Sequence, residues 1–113
     1  MTTKDLETLV QQRFTYCQEV LFAKNAEYAR EYNVLSNFHL AATLQDCPAT
    51  QALMGMAAKH IVSLFTFAQK PWSHTLEQWQ EKITDIINYC LLLEAMAVEW
   101  SKLRQPPVEA HNG

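Results

Sequence analysis

Glycine is almost missing from this chain: two residues in 113, alongside four prolines. So little glycine excludes a turn-rich β protein. It also leaves no Gly-rich loop to cradle phosphates, which excludes P-loop and Rossmann arrangements. Cysteine is scarce and odd in number. Cys17, Cys47 and Cys90 form no C-x-x-C pair, which fits a reducing cytosol and not a disulfide framework. Basic runs are absent and the net charge is -3, so no positive field holds a nucleic-acid backbone by counterion release. Direct nucleic-acid binding is therefore not expected. No apolar run reaches the roughly 18 residues of a spanning helix, and Met1-Thr2-Thr3-Lys4-Asp5 is not an apolar signal segment. The expectation is a soluble, cytoplasmic protein with no membrane partner.

What is present is apolar residue at helical spacing. Apolar types make up 49% of the chain, enough for one domain with one core. Thr2 or Thr3 caps a first helix, with Asp5 and Glu7 near its positive end. Its stripe runs through Leu6, Leu9, Val10, Cys17, Val20 and Leu21. Extended on the same wheel, Lys24, Glu27, Tyr28 and Glu31 fall on that stripe. A charge there is expensive to bury alone. Three outcomes are open: the helix runs past the core into solvent, the charges pair, or they bind something.

Asn33 to Asn37 reads as a break, with Ser36 or Asn37 capping a short helix. Asp46-Cys47-Pro48 stops it, and Pro48 suits the first turn of a third helix. That helix carries Leu53, Met56, Ala57, His60, Leu64 and Phe67 on one face. Thr75 and Gln78 resemble a capping box for a last helix that runs to about Arg104. The fold expected is all-α: an antiparallel bundle of three long helices and a short one over residues 1–104, with a polar tail at 105–113.

The last helix holds the cleanest pattern. Leu76, Trp79, Ile83, Ile86, Ile87, Cys90, Leu93 and Ala97 form an apolar stripe. Glu81, Asp85 and Asn88 form a line on the opposite side. That line runs into Leu92, Ala95 and Met96, so the helix is expected to be covered on both sides in its second half. Leu91, Leu92, Ala95 and Met96 lie off the main stripe, and a homodimer or homotetramer is expected to bury them.

Two acid pairs at i, i+4, Glu27 with Glu31 and Glu81 with Asp85, suit hard cations that prefer oxygen ligands. Such an ion binds phosphates and can polarise a phosphoryl oxygen. Solvated helix faces are the commoner fate of such pairs. Lys59 can reach a phosphate or extend along the surface, and Asn88 can orient a ligand or serve as face polarity. His60 on an apolar face is more often a satisfied core histidine than a ligand, and no zinc spacing accompanies it. No nucleophile motif supports a serine or cysteine.

Lys24-Asn25-Ala26-Glu27-Tyr28-Ala29, Asn33, Asn37-Phe38, Lys59-His60 and the run Glu81 to Tyr89 together resemble small phage and prophage proteins. Those proteins are similar to the nucleotide-modification-associated, MazG-like group. The resemblance spans roughly residues 20 to 97. It implies an all-α domain related to nucleotide pyrophosphohydrolases, which cleave nucleoside triphosphates with magnesium held by helix carboxylates, usually as dimers or larger assemblies. The group's signature is E-x-x-E on one helix and E-x-x-D on a later one. Here the spacings are Glu27-x-x-x-Glu31 and Glu81-x-x-x-Asp85, which keep each pair on one face. On this reading Glu27, Glu31 and Asp85 ligate Mg2+ or Mn2+, Glu81 is ligand or base, Lys24 and Lys59 neutralise phosphate, and Asn88 orients the nucleotide. The rival reading is a non-enzymatic phage accessory protein that binds another protein through the bundle.

Overall fold

A computed structural model describes residues 1–28 and 34–104, with side chains described for 1–23 and 34–104. These residues are largely helical, with short turns between α2, α3 and α4. Helix α1 spans Thr3–Tyr28, α2 spans Ser36–Gln45, α3 spans Ala49–Gln69 and α4 spans Leu76–Arg104. One 3-10 turn, Pro71–Ser73, links α3 to α4. No strand occurs among the described residues.

Local chemistry sets most of the boundaries. At the start of α1 the Asp5 N–H donates to Thr2 Oγ1 at 3.0 Å, and the Thr2 N–H donates back to Asp5 Oδ2 at 3.0 Å. This reciprocal pair satisfies two of the donors a helix start leaves over. The Thr2 bonds, that from its backbone N–H first and that from its side chain second, hold the Asp5 carboxyl below the usual 3.8. The expected box at α4 is also present: the Thr75 N–H reaches Gln78 Oε1 at 2.9 Å and the Gln78 N–H reaches Thr75 Oγ1 at 3.1 Å.

Helix α2 starts differently from expectation. Leu35 occupies the N-cap with no side-chain cap bond, and Ser36 is already the first helical residue. Leu35 is buried in the core instead, so apolar burial fixes this start where a hydroxyl cap was expected. The stop after α2 is Asp46, in the left-handed region at φ 52 and ψ 53. An acidic side chain tolerates that region better than most, and its N–H closes onto Thr43 and Ala42 carbonyls. Pro48 stands one residue before α3, at φ -63 and ψ 149, not inside its first turn.

Helix α4 is the spine: α3 and α1 both rest on it, and α2 rests on α3. The core gathers Leu35, Leu53 and Met96, with Phe38, Ala49, Tyr89, Leu92, Leu93 and Ala95 against them. At the α3–α4 corner, Phe67 stacks on His74 at 3.6 Å and meets the edge of Trp79 at 5.3 Å.

Two expectations are reversed here. The side of α4 that carries Leu92, Ala95 and Met96 is covered within one chain, by α3 and the start of α2, so it is not the surface left for a second copy. The residues of α4 that are fully buried are Thr84, Asn88 and Met96. The stripe expected to face the core holds Leu76 at 71% exposure and Ile83 at 36%, with Cys90 and Ala97 exposed as well. The helix is turned with its mixed polar side inward. The physical reason is that Thr84 finds a partner on α1 and Asp85 one on α3, so the burial of these two groups is not penalised as that of an unpaired group would be. In α1, Cys17 is fully buried, yet Leu6, Leu9 and Val10 on the same stripe stay about half exposed. Among the described residues, the first turns of α1 therefore extend past what the other helices cover.

Candidate site on the inward face of α4

The polar line Glu81, Asp85, Asn88 divides once it is placed in the bundle. Glu81, one turn nearer the helix start, is exposed. Asp85 and Asn88 turn inward. Asp85 Oδ2 lies 3.5 Å from His60 Nδ1 of α3, and the two side chains are 15% and 14% exposed. A protonated imidazole at that distance makes an ion pair, and a neutral one is held in a fixed orientation by the carboxylate. The Tyr89 ring leans on the His60 ring with centroids 5.4 Å apart and planes 36° apart. This fixes the imidazole from a second side.

Asn88 is 7% exposed, and its Oδ1 is buried with no hydrogen-bond partner among the described residues. A buried amide oxygen left over in this way carries a desolvation cost of about 1–3 kcal/mol. An amide in that state is ready to accept a hydrogen bond from anything that enters. On the other side of Asn88, Thr84 is 2% exposed, and its hydroxyl accepts from Arg13 Nη1 of α1. Arg13 also lies 5.3 Å from the Tyr16 ring centre, a cation–π contact that steadies the guanidinium. The inward face of α4 thus reads, in chain order, hydroxyl, carboxylate, amide and phenol, with an imidazole and a guanidinium brought by neighbouring helices.

His60 was expected to be a satisfied core residue. It is half-buried and set against the carboxylate expected to bind metal. Lys59 is exposed, and one residue of rotation, about 100°, separates it from His60 on the helix. The side chains of Lys24 and Glu27, and the whole of Glu31, lie outside the described residues. Of the expected ligands, Asp85 and Glu81 are therefore the two with a described side-chain setting, and of these Asp85 is the one turned inward. Among the described residues no three His, Cys, Asp or Glu side chains come together as a metal-holding group. A separate open cleft lined by His39, Ala42, Thr43, Asp46, Cys47, Pro48 and Ala49 sits at the α2–α3 corner. Its lining includes none of the expected site residues.

Arg13 and Thr84 were not among the sequence candidates. The signal for Arg13 was its position: it falls within the stripe between Val10 and Cys17, where a long cation must either reach solvent or find a buried acceptor. Thr84 gave no comparable signal, since a threonine in a helix is unremarkable until its neighbour is known. No helix among the described residues is long and apolar enough to cross a membrane. No family model matches the chain, and no curated protein and no solved structure matches it either.

Proposed function

We propose that this protein is a MazG-like, magnesium-dependent nucleotide-binding or nucleoside triphosphate pyrophosphohydrolase-like protein, built as an antiparallel bundle of three long helices and one short helix. The observation that carries the reading is the inward turn of Asp85 and Asn88 with His60 set against the carboxylate. A solvated acidic face would have pointed the other way.

In this reading Asp85 supplies one oxygen ligand to Mg2+ or Mn2+, and Glu27 and Glu31 supply the others. A carboxylate is a suitable ligand for so hard a cation. When bound, the ion draws charge from the phosphoryl oxygens. His60 holds the Asp85 carboxylate in place. Asn88 offers its amide to the nucleotide, Lys24 and Lys59 balance phosphate charge, and Glu81 serves as ligand or base at the outer edge.

The test is pyrophosphate release from a panel of nucleoside triphosphates, with and without millimolar Mg2+, together with thermal unfolding. Divalent ion should raise the melting temperature in proportion to occupancy. Asp85→Asn should abolish that rise without unfolding the protein, because it keeps the shape and removes one charge. Equal melting temperatures with and without metal in the parent, and no pyrophosphate, would refute the reading.

A second reading rests on a different observation. Phe14, Phe22, Leu40, Leu44, Val62 and Phe65 are each half exposed or more, and large apolar side chains at the surface mark interaction sites where they gather into one patch. A non-enzymatic accessory protein that docks on another protein would use such a surface. Nucleotide-independent capture of a defined partner, with no metal effect, would favour it.

A further inference from the structure

The contact between His60 and Asp85 is long for a hydrogen bond and fits a second arrangement. Asp85 Oδ2 and His60 Nδ1 stand 3.5 Å apart, where a charge-assisted N–H to carboxylate bond settles near about 2.7–2.9 Å. Zinc-like divalent ions bond imidazole nitrogen and carboxylate oxygen at about 2.0–2.2 Å. An ion bonded to both atoms at the observed separation would hold them at an angle of about 110–120°, close to tetrahedral. An octahedral ion of the magnesium type holds neighbouring ligands at right angles, which would need the two atoms about 3.0 Å apart.

We infer that His60 Nδ1 and Asp85 Oδ2 bind one divalent ion together, with the Asn88 amide oxygen as third donor, and that this ion is of the Zn2+ or Co2+ class and not Mg2+. This rests on the metal reading above and moves His60 from positioning Asp85 to standing beside it as a ligand. The donor set decides the ion. Imidazole nitrogen suits zinc and its neighbours, whereas Mg2+ takes oxygen ligands and keeps several waters. Asn88 stands three residues after Asp85, on the same side of α4. Its Oδ1 is buried with no hydrogen-bond partner among the described residues, so a bond to an ion would remove the cost of its burial. The third donor is an amide, and the set therefore holds only two acid or histidine side chains.

The donors are set before any ion arrives. His60 comes from α3 and the other two from α4, and these helices pack on each other, which holds a site more tightly than loops would. The Tyr89 ring fixes the plane of the imidazole. His60 and Asp85 each keep a narrow edge to solvent, which gives the ion a path in and leaves a fourth position for water or a phosphoryl oxygen. His39 faces Glu99 at 3.3 Å in a similar way, but both side chains are about half exposed there, and water competes for any ion.

Co2+ is the probe, because its visible absorption reports its geometry. Added to the metal-free chain, it should give the strong bands of a four-coordinate ion, and Zn2+ should displace them. At equal concentration Co2+ and Zn2+ should raise the melting temperature more than Mg2+ does. His60→Gln should weaken Co2+ binding by about tenfold or more, the least that loss of even an outer partner costs a metal site, with helicity unchanged by circular dichroism. If that variant does not fold, proton NMR of the Co2+-loaded parent decides. A coordinated imidazole carries its exchangeable ring N–H far outside the usual range, and absence of such a signal overturns the inference. Bands that persist at full strength in His60→Gln overturn it as well. Faint octahedral absorption, with Mg2+ as effective as Co2+, overturns it and leaves the magnesium reading standing. No rise in melting temperature with any of the three ions overturns both.

Discussion

The inward rotation of α4 can be tested at its tightest polar contact, Arg13 of α1 with the Thr84 hydroxyl. Thr84 is 2% exposed, so the hydroxyl has no water to fall back on. Arg13→Met keeps the apolar stem of the side chain and removes the donor. A hydrogen bond to a charged group contributes about 1.5–3 kcal/mol, and a buried hydroxyl left unsatisfied costs about 1–3 kcal/mol. Arg13 is itself only half-buried, which places the expected loss at the lower end, about 1.5–2 kcal/mol. Thr84→Val keeps the shape and removes the acceptor. The guanidinium then turns to solvent, and the loss is smaller, about 0.5–1 kcal/mol. The double variant should lose little more than Thr84→Val alone, because no buried group is left unpaired. The coupling between the two sites should therefore approach the whole Arg13→Met loss, about 1.5 kcal/mol. Urea unfolding followed at 222 nm, at one fixed protein concentration, reads all four corners of the cycle. The slope of free energy with urea should not change, since the surface exposed on unfolding is the same. In heat, Arg13→Met should lower the melting temperature by roughly 5–12 °C. Additive losses with no coupling, or an Arg13→Met variant as stable as the parent, would mean that α1 does not seat on this face of α4.

Other substitutions probe separate links. Leu53 is fully buried at the centre of the core, so Leu53→Ala should cost about 2–5 kcal/mol in urea unfolding. Gly55 sits mid-way along α3 with open space where a Cβ would stand, and Gly55→Ala should raise stability by about 0.5–1 kcal/mol. Asp5 has its pKa lowered by the Thr2 backbone and side-chain bonds. Its contribution is therefore present above 3.8 and fades as pH falls through the lower folded value. Thr2→Ala removes the smaller cause and leaves the backbone N–H, so the Asp5 carboxyl, followed by NMR titration, should move part of the way back up. A titration identical to the parent's would show that the Thr2 side chain does not bond it.

Much of the helical layout was legible because it is written in local chemistry. Thr2 with Asp5 and Thr75 with Gln78 are boxes that need no tertiary context, and Asp46-Cys47-Pro48 ends a helix wherever it occurs. The face of α3 was readable too: Leu53 and Ala57 are buried, and Met56, His60, Leu64 and Phe67 are half-buried beside them. The orientation of α4 was not. That helix is apolar on two sides, and a wheel states which residues share a face without stating which face its own chain covers. The decisive terms were partners seventy or twenty-five positions away, Arg13 for Thr84 and His60 for Asp85. The start of α2 was misread for a similar reason, since burial of Leu35 outweighed the capping chemistry of Ser36 and Asn37. Of the candidate site, the Asp85 and Asn88 line was visible as a line, but its junction with His60 depends on how α3 crosses α4.

The seat of α1 has a consequence for the order of assembly. Helices α2, α3 and α4 follow one another through short turns, so their contacts close small loops. Arg13 and Thr84 are 71 positions apart. Closing a loop of that length costs about 4 kcal/mol of chain entropy on a logarithmic scale, and it is repaid only after α4 exists as a surface. Helix α1 is thus the natural last arrival and the first to leave, a separate cooperative unit of lower local stability than the three helices behind it. Each such opening would bare Thr84 to water for a moment, while the Leu53 core stays closed.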